Sequence, residues 1–295
     1  MYVPEFPESR EIVLGDKPLF DSIFAANPPE ISAYTFTNIF AWREPHRSTI
    51  SRVGDSVIVI DKPKGYMTCL EPLGGDPKSA IEEVFRRVED KECEFCKVHA
   101  GVANSLREDP RFKVELDRNN SDYLYLSSDL IQLAGRKYDG KRNHIAQFKS
   151  EHNYKYIKMP CVTPEEAQEF ADYWCEQRDC RELDGLRDEY IAVYEMLANF
   201  DALGIKGGAI VVEGKVVAFS LGESLNPETM VIHVEKAGSQ MNGLYQAINN
   251  EFAIHEASNC KYINREQDLG VIGLRKAKKS YHPVKMVETY TVKRA

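Results

Sequence analysis

Ala209-Ile-Val-Val-Glu-Gly-Lys-Val-Val-Ala-Phe-Ser-Leu221 is a pair of apolar, β-rich runs joined by Glu213-Gly214. A two-residue joint ending in glycine between two such runs is a tight hairpin signal. Downstream, Asn226-Pro227 turns the chain into a third run over 230–235. A loop bearing Gly238 and Gly243 follows. Leu244, Ala247, Ile248 and Phe252 then recur at helical spacing, and 261–264 reads as a further strand.

The same order occurs earlier in the chain. Segments 49–53, 56–60 and 66–70 are β-rich and are joined by Gly54-Asp55 and Pro63-Lys64-Gly65. A loop with Gly74-Gly75 leads to Asp76-Pro77, an N-cap followed by proline at the first helical position. Ala80, Ile81, Val84, Phe85 and Val88 form one helical face, and 95–99 reads as a strand. Between the two repeats, Thr163-Pro-Glu-Glu166 is a capping box. Tyr190 to Phe200 reads as a helix stopped by Gly204. A polar helix is expected around 142–152. Meander, glycine-bearing loop, helix and strand is the core order of the GNAT fold, so two tandem α/β (α+β) GNAT-like lobes are expected. Each would be a mixed, mainly antiparallel sheet flanked by helices, with lobes over 1–150 and 151–295.

Composition agrees with a globular chain. Of 295 residues, 43% are apolar and 28% charged, enough for two modest cores. The longest apolar runs, 57–60 and 209–212, fall far short of the roughly 18 to 20 residues of a membrane span, and the N-terminus lacks a signal-peptide pattern. A cytoplasmic location is expected. Seven cysteines are an odd count for a disulfide framework. Cys93-x-x-Cys96 with His99 lacks a matching second pair for zinc, so no metal is expected. The formal charge of −8 argues against indiscriminate nucleic-acid binding while leaving room for local basic patches.

Two such patches stand out. Arg136, Lys137, Lys141, Arg142, Asn143 and His144 begin at Gly135 and contain the turn Asp139-Gly140. Arg275, Lys276, Lys278 and Lys279 lie within one short segment. Clustered cations at these spacings could track a phosphate backbone; solvated connector and helix faces are the other reading. Asn264-Arg-Glu-Gln-Asp268 is five polar residues in a row after a strand. Glu266 or Asp268 there could bind a substrate amine or act as general base. Asn264, Arg265, Tyr123, Asn143 and Gly243 are the candidate substrate contacts. Tyr123 and Tyr125 alternate on an apparent strand and either line a cleft or simply pack. The loop 235–245 has two glycines, with Gln240 where a base would help an anion. Glu71-Pro-Leu-Gly-Gly-Asp76 is acidic. Coenzyme A is therefore not signalled by either loop.

Four stretches carry a resemblance: Thr35-Phe-Thr-Asn-Ile-Phe-Ala-Trp-Arg43, the run 133–148, Gly243-Leu-Tyr-Gln-Ala-Ile-Asn-Asn-Glu-Phe252, and the long run Asn264 to Pro283. Together they resemble the soluble family of unknown function related to the C-terminal domain of phosphatidylglycerol lysyltransferase. The resemblance implies a tandem GNAT fold and transfer of an aminoacyl group from aminoacyl-tRNA to an amine or hydroxyl acceptor. The lysyltransferases carry a large membrane domain that this chain lacks, which points to a small-molecule or peptide acceptor. A coenzyme A thioester is the alternative donor, and non-catalytic binding of tRNA, a nucleotide or a peptide is the remaining reading.

Overall fold

The computed structural model describes residues 2–62, 67–88 and 93–295. The expected turn at Pro63-Lys64-Gly65 and the expected strand start at Tyr66 lie outside the described residues. Two seven-stranded sheets form the backbone of the fold. The first runs, edge to edge, Arg10–Glu11, Thr49–Val53, Ser56–Asp61, Met67–Leu70, Cys93–His99, Thr289–Arg294 and Phe112–Leu116. The second runs Lys285–Val287, Asp122–Leu126, Tyr262–Asn264, Thr229–Ala237, Lys215–Asn226, Lys206–Val212 and Tyr154–Lys158. Each sheet contains one parallel pairing among those described: Met67–Leu70 with Cys93–His99, and Thr229–Ala237 with Tyr262–Asn264. A helix crosses over between the members of each pair, Pro77–Arg87 in the first and Leu244–Glu256 in the second. Both sheets are thus mixed and mainly antiparallel, as expected of a GNAT-like tandem.

Local chemistry explains the elements that were expected. Glu213 and Gly214 both sit at positive φ, 51° and 77°, between paired Val212 and Lys215. Left-handed dihedrals at both central residues match the twist of the flanking strands. The Asp76 side chain accepts the Lys78 N–H at 3.2 Å, and Thr163 and Glu166 close a reciprocal capping box. The helix expected from Tyr190 to Phe200 is two helices, Asp184–Ala198 and Phe200–Leu203, the second ended by Gly204 at φ 73°.

Helix Leu244–Glu256 covers the second sheet by burying Ala247 and Ile248 against Ile210, Ala218 and Ala237. Burial of Ile248 alone stabilises by about 2 kcal/mol. Phe148, from helix Asp139–Glu151, joins the same cluster. Gly243 permits this approach. It has φ 82°, and a Cβ there would lie 2.1 Å from the His144 carbonyl oxygen. It lets the two helices pack closely.

The chain divides into two compact units, but not at 150/151. The first is Met1–Asp122 with Gln267–Ile272 and Met286–Ala295; the second is Tyr123–Glu266 with Gly273–Lys285. The physical reason is pairing between distant segments. Leu124 to Leu126 pair with Asn264 to Tyr262, which takes 123–150 into the second unit. The last strand, Thr289–Arg294, returns to the first unit between Cys93–His99 and Phe112–Leu116. Among the described residues, no helix is long and apolar enough to cross a membrane.

Val292 shows the consequence of that return: it is fully buried and pairs with Phe95 on one side and Val114 on the other. Val292→Asp buries an unpaired carboxylate in the first core and should cost about 3 kcal/mol or more. Hydrogen exchange should then show protection lost over 93–99 and 112–116 and kept over 206–237. Equal loss in both segments would contradict this division.

Candidate functional site

Strand Thr229–Ala237 has different neighbours along its length. Its antiparallel ladder with Lys215–Asn226 reaches the pair Ala218 and Ala237. Its parallel ladder with Tyr262–Asn264 ends at Val231 and Asn264. Beyond Asn264 the chain stays with the strand on its other side: the Arg265 N–H donates to the Tyr123 carbonyl at 3.0 Å, and the Tyr123 N–H to the Glu266 carbonyl at 3.1 Å. The parallel strands therefore part at their carboxyl ends, the place where open α/β sheets hold ligands.

Side chains bridge the parting strands where backbone bonds stop. His233, with no exposed side-chain surface, stands between two carboxylates. Its Nε2 is 2.9 Å from Glu223 Oε1 and its Nδ1 is 2.9 Å from Glu266 Oε1. Burial disfavours the imidazolium, but the two carboxylate partners outweigh it and lift the group from 6.5 to about 9. His233 is thus a cation at neutral pH. Two residues further on, Glu235 meets Arg265, whose Nε and Nη2 both donate to Glu235 Oε2, at 3.0 and 2.7 Å.

That second pairing is lopsided. A forked arginine–carboxylate pair ordinarily uses both oxygens. Here both donors converge on one, and among the described residues Glu235 Oε1 and Arg265 Nη1 are buried without a hydrogen-bond partner. The guanidinium lies over the rings of Tyr281 and Tyr125, at 4.7 and 5.7 Å from their centroids. Burial works against its charge, and Glu235 with the two tyrosines holds it firmly protonated.

The candidates named from sequence fall into three groups. Arg265 and Glu266 are in this site. Glu266 adopts φ 56°, a left-handed conformation uncommon outside glycine and a frequent mark of functional sites. Asn264 supports it: fully buried, its Oδ1 accepts the Glu266 N–H at 2.8 Å. Lys278 is buried, not solvated, and its ammonium donates to the Arg265 carbonyl. Tyr123 is fully buried, with its ring centroid 6.0 Å from the Lys278 ammonium.

Asp268 belongs elsewhere. It is fully buried in the first unit, pairs with Arg118 at 3.3 Å, and accepts the Gly270 N–H at 2.9 Å. These contacts hold the turn at Gly270 within that unit. Gly243 is a packing residue, and Asn143 is exposed on helix Asp139–Glu151.

The two basic clusters meet within the second unit. The Lys141 ammonium donates to Ser280 Oγ at 2.7 Å and lies 4.1 Å from the Tyr281 centroid. The Tyr138 hydroxyl donates to the Tyr281 carbonyl at 2.9 Å. Arg142 is committed to structure, binding the Leu133 and Gly135 carbonyls and Asp139. Arg136, Lys137, Lys276 and Lys279 are exposed and Arg275 half-buried; Lys137 also pairs with Asp129 at 3.2 Å.

His233, Glu235 and Glu223 were not singled out by sequence reasoning. A signal was present: His233 and Glu235 stand at i and i+2 in a strand that is apolar over 230–232, so both project from one face.

Residues 25–293 match the family described as phosphatidylglycerol lysyltransferase, C-terminal. A conserved protein of unknown function from Bacteroides thetaiotaomicron is 33% identical, with 97% of this chain and 99% of that one covered and a TM-score of 0.88. L-PGS from Bacillus licheniformis is similar at 14% identity, covering 100% of this chain and 94% of the other, with a TM-score of 0.66. FemX is similar at 10% identity and a TM-score of 0.54, with 96% of each chain covered. These last two likenesses speak to the fold. An uncharacterized protein from Mycoplasmoides gallisepticum is 25% identical over 190 residues, which span 62% of this chain and 59% of that relative. With its two-sheet architecture and a family match that extends over 25–293, the chain belongs to the phosphatidylglycerol lysyltransferase C-terminal domain family.

Proposed function

We propose that the chain transfers an aminoacyl group from an aminoacyl-tRNA to an amine or hydroxyl acceptor, with the aminoacyl end held where the second unit's parallel strands part. The observation that carries this reading is the pair of buried, unpartnered atoms, Glu235 Oε1 and Arg265 Nη1. An unmet buried polar group costs about 1–3 kcal/mol, which a ligand supplying its complement recovers. An α-amino ester has that complement: an ammonium to donate to Glu235 and a carbonyl to accept from Arg265. The same guanidinium donor suits the oxyanion that forms when the carbonyl is attacked.

In the reaction, the acceptor nitrogen or oxygen attacks the ester carbonyl carbon. A new C–N or C–O bond forms, and the C–O bond to the tRNA ribose breaks. The acceptor's proton passes to the Glu266 carboxylate and then to the departing ribose oxygen. The ester is already activated, so positioning supplies most of the acceleration without a covalent enzyme intermediate. His233, a cation at neutral pH, holds Glu266 rather than acting as base. The exposed Arg136, Lys137, Lys276 and Lys279 suit the donor's phosphates. The family description names a lysyl group, and lysyl-tRNA is the first donor to test. Charged tRNA is a cytoplasmic substrate, and that is where this reading places the protein.

Incubation with labelled aminoacyl-tRNAs and a small-molecule extract should yield enzyme-dependent product. Arg265→Lys and Glu235→Gln should each slow single-turnover transfer on the order of 100-fold. Arg136→Ala with Lys276→Ala should weaken tRNA binding and flatten its salt dependence. No transfer and no tRNA retention would remove the proposal. Transfer from an acyl-coenzyme A would establish the thioester reading instead, and tRNA retention without turnover the binding reading.

His233 gives a test by pH. Its folded-state value lies above its unfolded one, so its contribution to stability is complete below about 6.5 and is lost as pH rises through about 9. Between pH 6 and pH 10, wild type should lose roughly 3 kcal/mol of unfolding free energy relative to His233→Gln. Parallel pH profiles for the two proteins would show that Glu223 and Glu266 do not charge the imidazole.

A further inference from the structure

The first unit has a cavity of about 360 Å³ at the equivalent place in its own sheet. Met67–Leu70 and Cys93–His99 run parallel until Leu70 and Cys96, and the cavity opens beyond that last pair. Ile23, Phe24, Ile31, Pro72 and Leu73 form its apolar wall. Glu71 supplies a carboxylate.

Glu71 is clasped from both ends. Its Oε2 accepts the His99 N–H at 2.6 Å, and its own N–H donates to the Tyr34 hydroxyl at 3.0 Å. That hydroxyl in turn donates to the Lys97 carbonyl at 2.8 Å. The carboxylate is therefore held in one place without help from a ligand. Among the described residues no lysine or arginine forms an ion pair with it, and burial lifts it to about 7 despite the His99 hydrogen bond. The contrast with the second unit is direct, since Glu235 there is answered by Arg265.

The loop from this strand to helix Pro77–Arg87 is not built for phosphate. Leu73 exchanges backbone hydrogen bonds with Val57, at 2.8 and 2.9 Å, which pins the loop to the neighbouring strand. Asp76 caps the helix with its own carboxylate, and Glu30 lies on the cavity's rim. Anions would meet negative charge at Asp76 and Glu30. Among the described residues that line the cavity there is no lysine or arginine, and an apolar wall beside a fixed carboxylate suits an ammonium group carried on a hydrocarbon body.

We propose that this cavity binds a small primary amine with an apolar body, its ammonium on the Glu71 carboxylate and its hydrocarbon against Phe24, Ile23 and Leu73. The proposal does not depend on the transfer reaction assigned to the second unit.

Calorimetric titration of the full chain with hexylamine, hexanoate and coenzyme A tests it. Hexylamine should bind and the two anions should not. Glu71→Gln, which keeps the shape of the side chain, should weaken hexylamine by about tenfold or more. Ile23→Trp, at a half-buried position on the cavity wall, should weaken it comparably by filling the cavity. Circular dichroism confirms that both variants are folded. Hexanoate binding as tightly as hexylamine, hexylamine failing to bind wild type, or unchanged affinity in both folded variants would overturn the proposal.

Discussion

The second unit depends on one constraint: strand Thr229–Ala237 loses its parallel neighbour after Val231 while keeping its antiparallel one. Backbone groups on the parting side need other partners or room for a ligand. Charged side chains occupy the gap instead, with His233 reaching Glu223 and Glu266, and Arg265 reaching Glu235. Everything that gives this region its chemistry follows from that substitution of side-chain bridges for ladder bonds.

Burying several charges together is costly unless each is matched. The histidine is matched twice, which is why it stays protonated although no part of its side chain reaches solvent. The arginine is matched by one carboxylate oxygen and two aromatic rings, and one guanidinium nitrogen and one carboxylate oxygen are left unmet. A fully satisfied cluster would only hold strands together. An incompletely satisfied one carries binding capacity, because a ligand with the right donor and acceptor gains what the protein alone leaves unmade. The first unit meets the same divergence differently, tying Glu71 with a backbone amide and a tyrosine hydroxyl and leaving a cavity with one apolar wall beside it.

Much of the fold was legible because it rests on short-range chemistry. The Glu213-Gly214 hairpin, the Asp76 cap, the Thr163 capping box and the apolar face of helix Leu244–Glu256 depend on residues within a few positions of one another. Arg265 and Glu266 were legible for a similar reason, as part of an unbroken polar run where a strand ends. Charge alone did not show that Lys278 and Asp268 are buried: Lys278, read as a phosphate contact or a solvated cation, holds the Arg265 carbonyl, and Asp268, read as a base or amine ligand or as part of a solvated loop, pairs with Arg118 in the first unit. Edge strands such as Tyr154–Lys158 and Phe112–Leu116, which lack a strong apolar signal, were not foreseen.

By itself, the sequence determined two repeats of meander, loop, helix and strand, because periodicity and turn chemistry are local properties. It also determined that a polar segment follows the final strand of the second repeat. Only the tertiary structure decided which charges would meet. Glu235 and Arg265 are thirty positions apart, Glu223 and Glu266 share a histidine from strand Thr229–Ala237, and the last strand crosses back into the first sheet. Such pairings are set by strand register and crossover, and register depends on burying whole faces at once rather than on any residue's neighbours in the chain.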